Sequence, residues 1–229
     1  MKKNIILTFS SNQKELTSIT YPFLERYCEE HKIDLMILRN NKQHIVDKCI
    51  SDGAKWYDSL DRFYTYDLLE DYDNVLWLGS DVLIVPGSPN IFSEFPDTEL
   101  GVFFEGKRGF REELLMDCYN AHGLVPDAYF NVDVMLVNKA AKEIYNYNTI
   151  DFKDIHKGKW VDQDFLNYKA FRDKFNMTDM GWKWNCMISL FGWDARKIPM
   201  DAYFVHITGM PQASRYDWVY NFAKYRDLI

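Results

Sequence analysis

Paired cysteines are absent from this 229-residue chain. Its four cysteines, Cys28, Cys49, Cys118 and Cys186, stand far apart, and no two have the short spacing of a zinc ligand pair. Disulfide frameworks and structural zinc sites usually show such pairs, so the pattern argues against both. Scattered cysteines are typical of reducing compartments, and we expect a cytoplasmic protein.

Long apolar runs and an excess of basic residues are also missing. No stretch approaches the roughly 18 apolar residues of a membrane-spanning helix, and the apolar run at residues 4–9 is too short for a signal peptide. The net charge is −7, whereas a general binder of nucleic acid is usually basic. We therefore expect neither a membrane span nor a nucleic-acid partner, although a small phosphorylated ligand held through a metal ion suits this charge.

The rest of the composition predicts a well-packed α/β protein. Hydrophobic residues make up 47% of the chain, and no repeat or linker divides it, so we expect one domain over residues 1–229. Apolar runs alternate with segments of helical period, which predicts a Rossmann-like, mostly parallel sheet flanked by helices. The predicted strands are 4–9, 33–38, 75–78 continued by 82–85, 100–104, 129–137 and 203–207. The predicted helices are 14–31, 59–70, 111–120, 140–147, 161–171 and 216–228.

Residues 75–85 are the most informative segment, because Gly79, Ser80 and Asp81 interrupt two apolar runs. The runs predict a buried strand, and glycine marks a break or a close backbone approach. A carboxylate at the end of a buried strand is unfavourable unless something such as a cation compensates its desolvation. Two interpretations stay open: Asp81 holds a ligand at the strand end, where open α/β sheets bind theirs, or it is a solvated turn residue.

Three further polar clusters stand at strand ends, within a strand or at a helix start. They are Asn131-Val132-Asp133, Asp162-Gln163-Asp164 and His206-Ile207-Thr208-Gly209. Acidic residues at a helix start also complement the helix dipole, and a histidine after an apolar run is commonly structural. Asp133 is the hardest to explain by structure alone, because a buried unpaired carboxylate is costly.

Together and in this order, the four clusters resemble GT-A-fold glycosyltransferases, most closely family 8, the glycogenin and lipopolysaccharide galactosyltransferase group. The likeness runs from about residue 4 to residue 212. It covers Leu68 to Val85 around an Asp-x-Asp motif, Tyr129 to Asn138, Asp162 to Asn167, and His206 to Gln212.

The resemblance implies a hexosyltransferase that uses a nucleotide diphosphate sugar, by default a UDP-sugar, and a glycan or another hydroxyl acceptor. It implies retention of the anomeric configuration and assistance by Mn²⁺ or Mg²⁺ on Asp81 and His206. Residues 1–85 would mainly hold the nucleotide, and residues 100–215 the donor sugar and the acceptor.

Further positions receive roles from the same resemblance. The expected contacts to the donor are Thr8, Phe9 and Ser10 at the base, with Arg62, Gly79, Ser80, Asp81, Gly209 and Gln212. The expected catalytic group is Asn131, Asp162 and Gln163, joined by Asp133, which departs from the family pattern. For Arg62, an ion pair on the surface with Asp58 or Glu70 is the alternative.

Three positions depart from the family pattern. Gly79 replaces the first Asp of Asp-x-Asp, which removes a carboxylate from the metal or ribose site. Gln212 replaces a phosphate-binding lysine, and Arg215 is a candidate substitute. Asp133 replaces a small residue, as a new metal ligand, a sugar-hydroxyl acceptor or a catalytic carboxylate. The alternative function is therefore a non-catalytic nucleotide-sugar or glycan-binding protein on the same fold.

Two aromatic segments keep two interpretations each. Residues 182–185 line an acceptor site or belong to the core, and Lys157, Lys159 and Trp160 form an acceptor wall or a mobile lid. A nucleotidyltransferase on a similar sheet is a weaker hypothesis, because residues 8–13 lack the glycines and cations of a phosphate-binding loop.

Overall fold

The computed structural model describes residues 2–9 and 14–229, which form nine strands. Their bounds are β1 (Asn4–Phe9), β2 (Asp34–Leu38), β3 (Asn74–Leu78), β4 (Val82–Ile84), β5 (Leu100–Lys107), β6 (Ala128–Asn138), β7 (Met177–Asp179), β8 (Cys186–Met187) and β9 (Phe204–His206).

Eight α-helices connect these strands within the same residues. They are α1 (Lys14–His31), α2 (Gln43–Ser51), α3 (Thr65–Asp71), α4 (Ile91–Glu94), α5 (Glu112–His122), α6 (Phe152–Ile155), α7 (Asp162–Arg172) and α8 (Gln212–Tyr225). Short 3₁₀ segments cover Asp58–Tyr64, Lys139–Tyr145, Trp182–Trp184, Ile188–Phe191 and Ala195–Lys197.

Six strands form the central sheet in the order β2-β1-β3-β6-β5-β7. β1 pairs in parallel with β2 and β3, and β5 pairs in parallel with β7. In the described sheet only β6 runs against its neighbours, β3 and β5. The predicted α/β fold, with a mostly parallel sheet flanked by helices in one domain, is confirmed.

Apolar packing covers both faces of this sheet. Along β1, Ile5 packs into the core on one face and Ile6 into the core on the other, and along β3 Trp77 and Leu76 divide in the same way. Successive side chains of a strand point to opposite faces, so a strand covered on both sides needs an unbroken apolar run. This requirement explains why β1 and β3 are readily predicted from the sequence.

A second sheet, with the strand order β4-β9-β8, corrects the prediction that residues 82–85 continue the third strand. The chain turns at Gly79, where the N–H of Val82 donates to the C=O of Gly79 at 3.2 Å. β4 then runs antiparallel to β9, with Val82 opposite His206. The turn leaves Asp81 beside β9, because the N–H of Ile207 donates to the C=O of Asp81 at 2.9 Å.

Two predicted helices are wound more tightly than expected. Residues 59–70 consist of the 3₁₀ segment Asp58–Tyr64 followed by α3, and residues 140–147 are the 3₁₀ segment Lys139–Tyr145. Such turns are frequent at helix ends and as connectors, which describes both segments. Over two turns, an apolar period of 3.0 residues is hard to tell from one of 3.6.

Five of the described α-helices and strands have no counterpart in the sequence prediction: α2, α4, α6, β7 and β8. Helix α2 buries only Ile45 and Cys49, so its apolar pattern is weak. Strands β7 and β8 contain three and two residues, too few to show alternation.

Membrane crossing would need a helix that is both long and apolar, and none of the described helices is. All four cysteines are buried and free.

Candidate active site

Three side chains able to bind a metal meet at the end of β3. Asp81 lies in the turn after β3, Asp133 lies in β6, and His206 is the last residue of β9. The N–H of Gly79 donates to the C=O of Asp133 at 2.7 Å, which aligns the two strands here. One ligand atom from each of the three residues lies within 4.8 Å of the other two. Carboxylate oxygens and an imidazole nitrogen together suit a divalent cation.

The buried ring of His206 has one nitrogen free for a cation. Nδ1 lies 2.9 Å from Oδ1 of Asn185, an oxygen that only accepts, so Nδ1 carries a proton. Nε2 has no hydrogen-bond partner among the described residues and lies 3.6 Å from Oδ1 of Asp81 and 3.4 Å from Oδ2 of Asp133. Buried polar atoms are normally paired, and a cation between Nε2 and the two carboxylates would pair this one. The residues present therefore fit a divalent metal ion.

Neighbouring charges shift the pKa values of this triad in different directions. Burial alone would lower the pKa of His206, but Asp81 and Asp133 outweigh burial and raise it. Burial raises the pKa of Asp81, against the opposing influence of His206 and Arg215. Burial also acts on Asp133, but His206 and Arg62 overcome it and hold the pKa of this carboxyl below its usual range. Asp133 is thus the carboxylate that stays ionised most firmly.

The side chain of Asp133 fills the space beside Gly79. A Cβ atom added at Gly79 would lie 3.1 Å from Cβ of Asp133 and 3.0 Å from Oδ1 of Asp81. Because protein interiors are closely packed, a side chain at position 79 and the aspartate at position 133 do not fit together without a shift. The carboxylate that position 79 lacks is supplied to the same space from the neighbouring strand.

Arg62 is buried, so the alternative of a surface ion pair with Asp58 or Glu70 is wrong. The side chain is 2% exposed, and Nη2 donates to Oδ1 of Asp133 at 3.0 Å. Nε lies 2.8 Å from Oδ2 of Asp162. Burial alone would lower the pKa of Arg62, but these two carboxylates outweigh it and raise the pKa. Arg62 therefore connects two of the predicted catalytic carboxylates, Asp133 and Asp162.

A cleft of about 450 Å³ opens beside the triad. Gln163 crosses part of its wall, since its Nε2 donates to Oε1 of Glu105 at 2.7 Å and its Oε1 accepts from Nδ2 of Asn131 at 3.2 Å. Burial raises the pKa of Asp162, against the opposing charge of Arg62. The predicted site residues that line the cleft are Arg62, Asn131, Asp133, Asp162, Gln163 and Gly209.

Helix α8 brings Arg215, the candidate substitute for the missing lysine, to the cleft. Gln212 is exposed and is not among the described residues that line the cleft. Arg215, three residues further on, lines the cleft, and its Nη1 donates to Oδ2 of Asp81 at 2.6 Å. Gly209 precedes α8 with φ +76°, and a Cβ there would lie 2.9 Å from Cβ of Ser189, so a larger residue would be strained.

The predicted base-binding segment is described in part, since Ser10 lies outside the described residues. Thr8 is buried at the end of β1, and the Phe9 ring stacks on Trp77 at 5.6 Å. Both therefore lie at the sheet edge from which Asp81 projects. Ser80 is buried, and its C=O accepts a hydrogen bond from Oγ1 of Thr20 at 3.0 Å, which ties the turn to α1.

The two aromatic segments occupy different environments. Trp184 is buried and packs edge-on against Phe204, with ring centroids 5.2 Å apart, so it belongs to the core. Trp160 is 46% exposed and lines the cleft, with Nε1 donating to Oδ2 of Asp117 at 3.2 Å.

Three residues of the site have no specific sequence prediction: Asn185, Glu105 and Arg111. Asn185 is fully buried between His206 and Asn131. Glu105 lies inside β5, one residue beyond the predicted strand, and pairs with Nη1 of Arg111 at 2.6 Å. A single acidic residue after an apolar run was the only signal for Glu105, and nothing in its neighbours singles out Asn185.

Two solved structures share this architecture over nearly the whole chain. One is a glycosyltransferase involved in the glycosylation of the major capsid of PBCV-1, with 16% identity, coverage of 99% of this chain and 100% of that chain, and a TM-score of 0.62. The other is the galactosyltransferase LgtC in complex with donor and acceptor sugar analogs, with 16% identity, coverage of 99% and 96%, and a TM-score of 0.60. The protein has a GT-A glycosyltransferase fold.

The GT-A fold accounts for the position of the triad, because open α/β sheets bind ligands at their strand ends. No protein-family model matches the sequence, and no curated protein matches it either. An identity of 16% establishes the fold, and the activity has to be argued from the site.

Proposed function

We propose that this protein is a glycosyltransferase that moves a hexose from a nucleotide diphosphate sugar, by default a UDP-sugar, to a glycan or another hydroxyl acceptor. The observation that carries the proposal is the meeting of Nε2 of His206 with the carboxylates of Asp81 and Asp133, where Nε2 has no hydrogen-bond partner among the described residues, beside the cleft of a GT-A fold. The galactosyltransferase neighbour, described with donor and acceptor sugar analogs, supports this class of substrates.

Asp81, Asp133 and His206 would hold Mn²⁺ or Mg²⁺. Two oxygen ligands and one imidazole suit Mn²⁺ at least as well as Mg²⁺, which prefers oxygen ligands alone. When bound, a divalent ion neutralises the diphosphate and stabilises the charge that grows on the leaving nucleotide. Asp133 completes a ligand set that Gly79 would otherwise leave short of one carboxylate.

The other polar residues of the cleft bind and orient the substrates. Arg215 presents a guanidinium at the cleft wall, and this group suits phosphate oxygens. Asp162 and Gln163 offer acceptors and donors for sugar hydroxyls. Asn131 fixes the amide of Gln163, and the exposed face of Trp160 is a platform for an acceptor sugar.

The remaining features of the proposal rest on the resemblance to family 8. We propose retention of the anomeric configuration, with residues 1–85 mainly holding the nucleotide and residues 100–215 the donor sugar and acceptor. Thr8 and Phe9, at the end of β1, are the proposed contacts to the base.

A second candidate is a nucleotide-sugar or glycan-binding protein that works without a metal or catalysis. The observation in its favour is that arginines already pair with the carboxylates: Arg215 with Asp81 at 2.6 Å and Arg62 with Asp133 at 3.0 Å. In that case Arg215 would meet the donor phosphates directly.

Isothermal titration of UDP, GDP and UDP-glucose, each with and without Mn²⁺, tests the proposal. The glycosyltransferase proposal predicts that one nucleotide binds tightly and needs the metal. It further predicts that Asp133→Asn weakens Mn²⁺ binding at least tenfold, while Asp97→Asn, the same change on a side chain that is 97% exposed, leaves it unchanged. Nucleotide binding that ignores Mn²⁺ would favour the second candidate. No binding of any nucleotide would overturn the glycosyltransferase proposal and leave only the glycan-binding form of the second candidate.

A further inference from the structure

A continuous series of buried and part-buried side-chain hydrogen bonds leads from Glu105 to His206. Nε2 of Gln163 donates to Glu105 at 2.7 Å, and Nδ2 of Asn131 donates to Oε1 of Gln163 at 3.2 Å. Nδ2 of Asn185 donates to Oδ1 of Asn131 at 2.9 Å, and Oδ1 of Asn185 lies 2.9 Å from Nδ1 of His206. Three amides therefore separate a carboxylate from the imidazole of the proposed metal site.

The donor and acceptor groups at the Glu105 end fix the direction of the hydrogen bonds in this series. The Glu105 carboxylate is held at its other oxygen by Arg111, and a carboxylate can only accept, so the NH₂ group of Gln163 must face it. The amide oxygen of Gln163 then faces Asn131, whose own oxygen points to the next amide.

A backbone donor fixes the same direction independently. The N–H of Asp133 donates to Oδ1 of Asn131 at 3.0 Å, and a backbone N–H cannot accept. Oδ1 of Asn131 is therefore an acceptor, and only the NH₂ group of Asn185 can face it. The remaining oxygen of Asn185 accepts from Nδ1–H of His206, which places the lone pair of the neutral ring on Nε2.

We propose that Asn185 is a positioning residue for the metal site, which selects the nitrogen of His206 that faces the cation. This inference rests on the proposed function, because it assumes a cation between Asp81, Asp133 and His206. Asn185 is fully buried, so solvent offers His206 no substitute partner. Partners behind a metal-bound histidine fix its ring orientation, and their loss typically weakens metal binding 10–100-fold.

Mn²⁺ alone is the probe, and its affinity is measured by titration calorimetry and by the loss of the free-ion electron paramagnetic resonance signal. Asn185→Leu keeps a similar volume but removes the acceptor, and we expect it to bind Mn²⁺ 10–100-fold more weakly than wild type. Asn185→Asp keeps an acceptor for Nδ1–H but loses the donor to Oδ1 of Asn131, so we expect it to lose less Mn²⁺ affinity than Asn185→Leu does.

Asn74→Leu is the matched control for removing a buried amide. Asn74 is 7% exposed, and its side chain donates to Oδ1 of Asn4 at 2.7 Å at the opposite end of β3. We expect this variant to bind Mn²⁺ as wild type does. Thermal unfolding without metal then separates a general loss of stability from a specific loss of affinity.

Nuclear magnetic resonance gives a readout that packing alone would not move. Long-range ¹H–¹⁵N correlations, recorded where the His206 ring is neutral, should show the proton on Nδ1 in wild type and a mixture of tautomers in N185L. Unchanged Mn²⁺ affinity in N185L, or an equal loss in N185L and N185D, would overturn the inference. A wild-type protein that binds no Mn²⁺ would instead overturn the metal site of the proposed function.

Discussion

At the scale of single residues, two neighbouring positions decide where the second carboxylate of the site comes from. They are Gly79, just after β3, and Asp133 in β6. Asp133 occupies the space that a side chain at position 79 would need, so the two positions constrain each other. The loss of a carboxylate at position 79 therefore has to be considered together with the carboxylate gained at position 133.

The coupling of these positions gives a first prediction. Gly79→Asp alone places a third carboxylate against Asp81 and Asp133, and we expect it to lower the free energy of unfolding by about 1–3 kcal/mol. In the double variant G79D/D133A the carboxylate of Asp133 is gone, and with it the repulsion between the two acidic groups and the 3.4 Å contact with Cγ of Asp133. We expect its stability to exceed the sum of the single changes by about 1 kcal/mol or more, and its Mn²⁺ affinity to exceed that of D133A. Urea unfolding and titration calorimetry measure both, and strictly additive effects would contradict the coupling.

Arg62 gives a second prediction at this scale. Arg62→Met removes the buried cation between Asp133 and Asp162, and leaving buried charges unpaired costs about 3–5 kcal/mol. We expect a loss of that size in the free energy of unfolding, measured in urea. Arg196→Met is the control, because Arg196 is 77% exposed and its pair with Asp194 is worth less than about 1 kcal/mol. Equal losses of unfolding free energy in the two variants would contradict the prediction that the buried ion pairs of Arg62 stabilise the protein more than an exposed pair does.

At the scale of elements, the sequence predicts what depends on repeated burial and misses what depends on a few contacts. β1, β3 and β6 stand out as apolar runs, and α7 begins at the acidic cluster that marks a helix start. No repeated apolar pattern marks the 3₁₀ segments or the two-residue strand β8. The same is true of the point where β4 leaves the central sheet and joins the second one. Which strand β4 joins is decided by its pairing with β9, more than 100 residues later in the chain.

The turn between β9 and α8 gives an element-scale prediction. Gly209→Ala must keep a positive φ and also push Cβ to 2.9 Å from Cβ of Ser189, so we expect it to destabilise the protein. Gly87→Ala is the matched control, because Gly87 has φ +80° but no atom within 4 Å of an added Cβ. The conformational cost, about 1–2 kcal/mol, is common to both. Thermal unfolding should show the larger loss in G209A, and equal losses would mean that the Ser189 contact relaxes freely.

At the scale of the whole molecule, the three potential metal ligands come from segments up to 125 positions apart, between Asp81 and His206. Four clusters in a fixed order are enough to predict that these segments meet, because in that order they resemble GT-A-fold glycosyltransferases. Asn185 and Glu105 are beyond that kind of prediction. Their importance depends on the direction of hydrogen bonds between side chains, and the pattern of residues along the sequence does not show that direction.

The stability of the whole protein provides a pH-dependent prediction. Burial raises the pKa of Asp61 from 3.8 to about 6. Between about pH 4 and pH 6 the unfolded chain has lost this proton while the folded protein keeps it, so stability should fall as the pH rises. The full effect is on the order of 2–3 kcal/mol.

Asp61→Asn should remove this dependence. We expect D61N to be more stable than wild type at pH 8 and equal to it below about pH 4, as measured by urea unfolding at several pH values. Asp97→Asn, on an exposed side chain, should change neither the stability nor its slope. A constant difference between D61N and wild type across this range would contradict the prediction.

The contact between Gly79 and Asp133 also restricts how the positions of the carboxylates can change during evolution. A lineage that moved from one arrangement of carboxylates to the other by single substitutions would pass through one of two intermediates. Either both positions would be acidic, with the crowding described for position 79, or neither would be, and the cation would lose a ligand. Both intermediates are handicapped, so the two arrangements should persist as separate lineages. A motif search that expects both acids on one strand would overlook the lineage that has one on each.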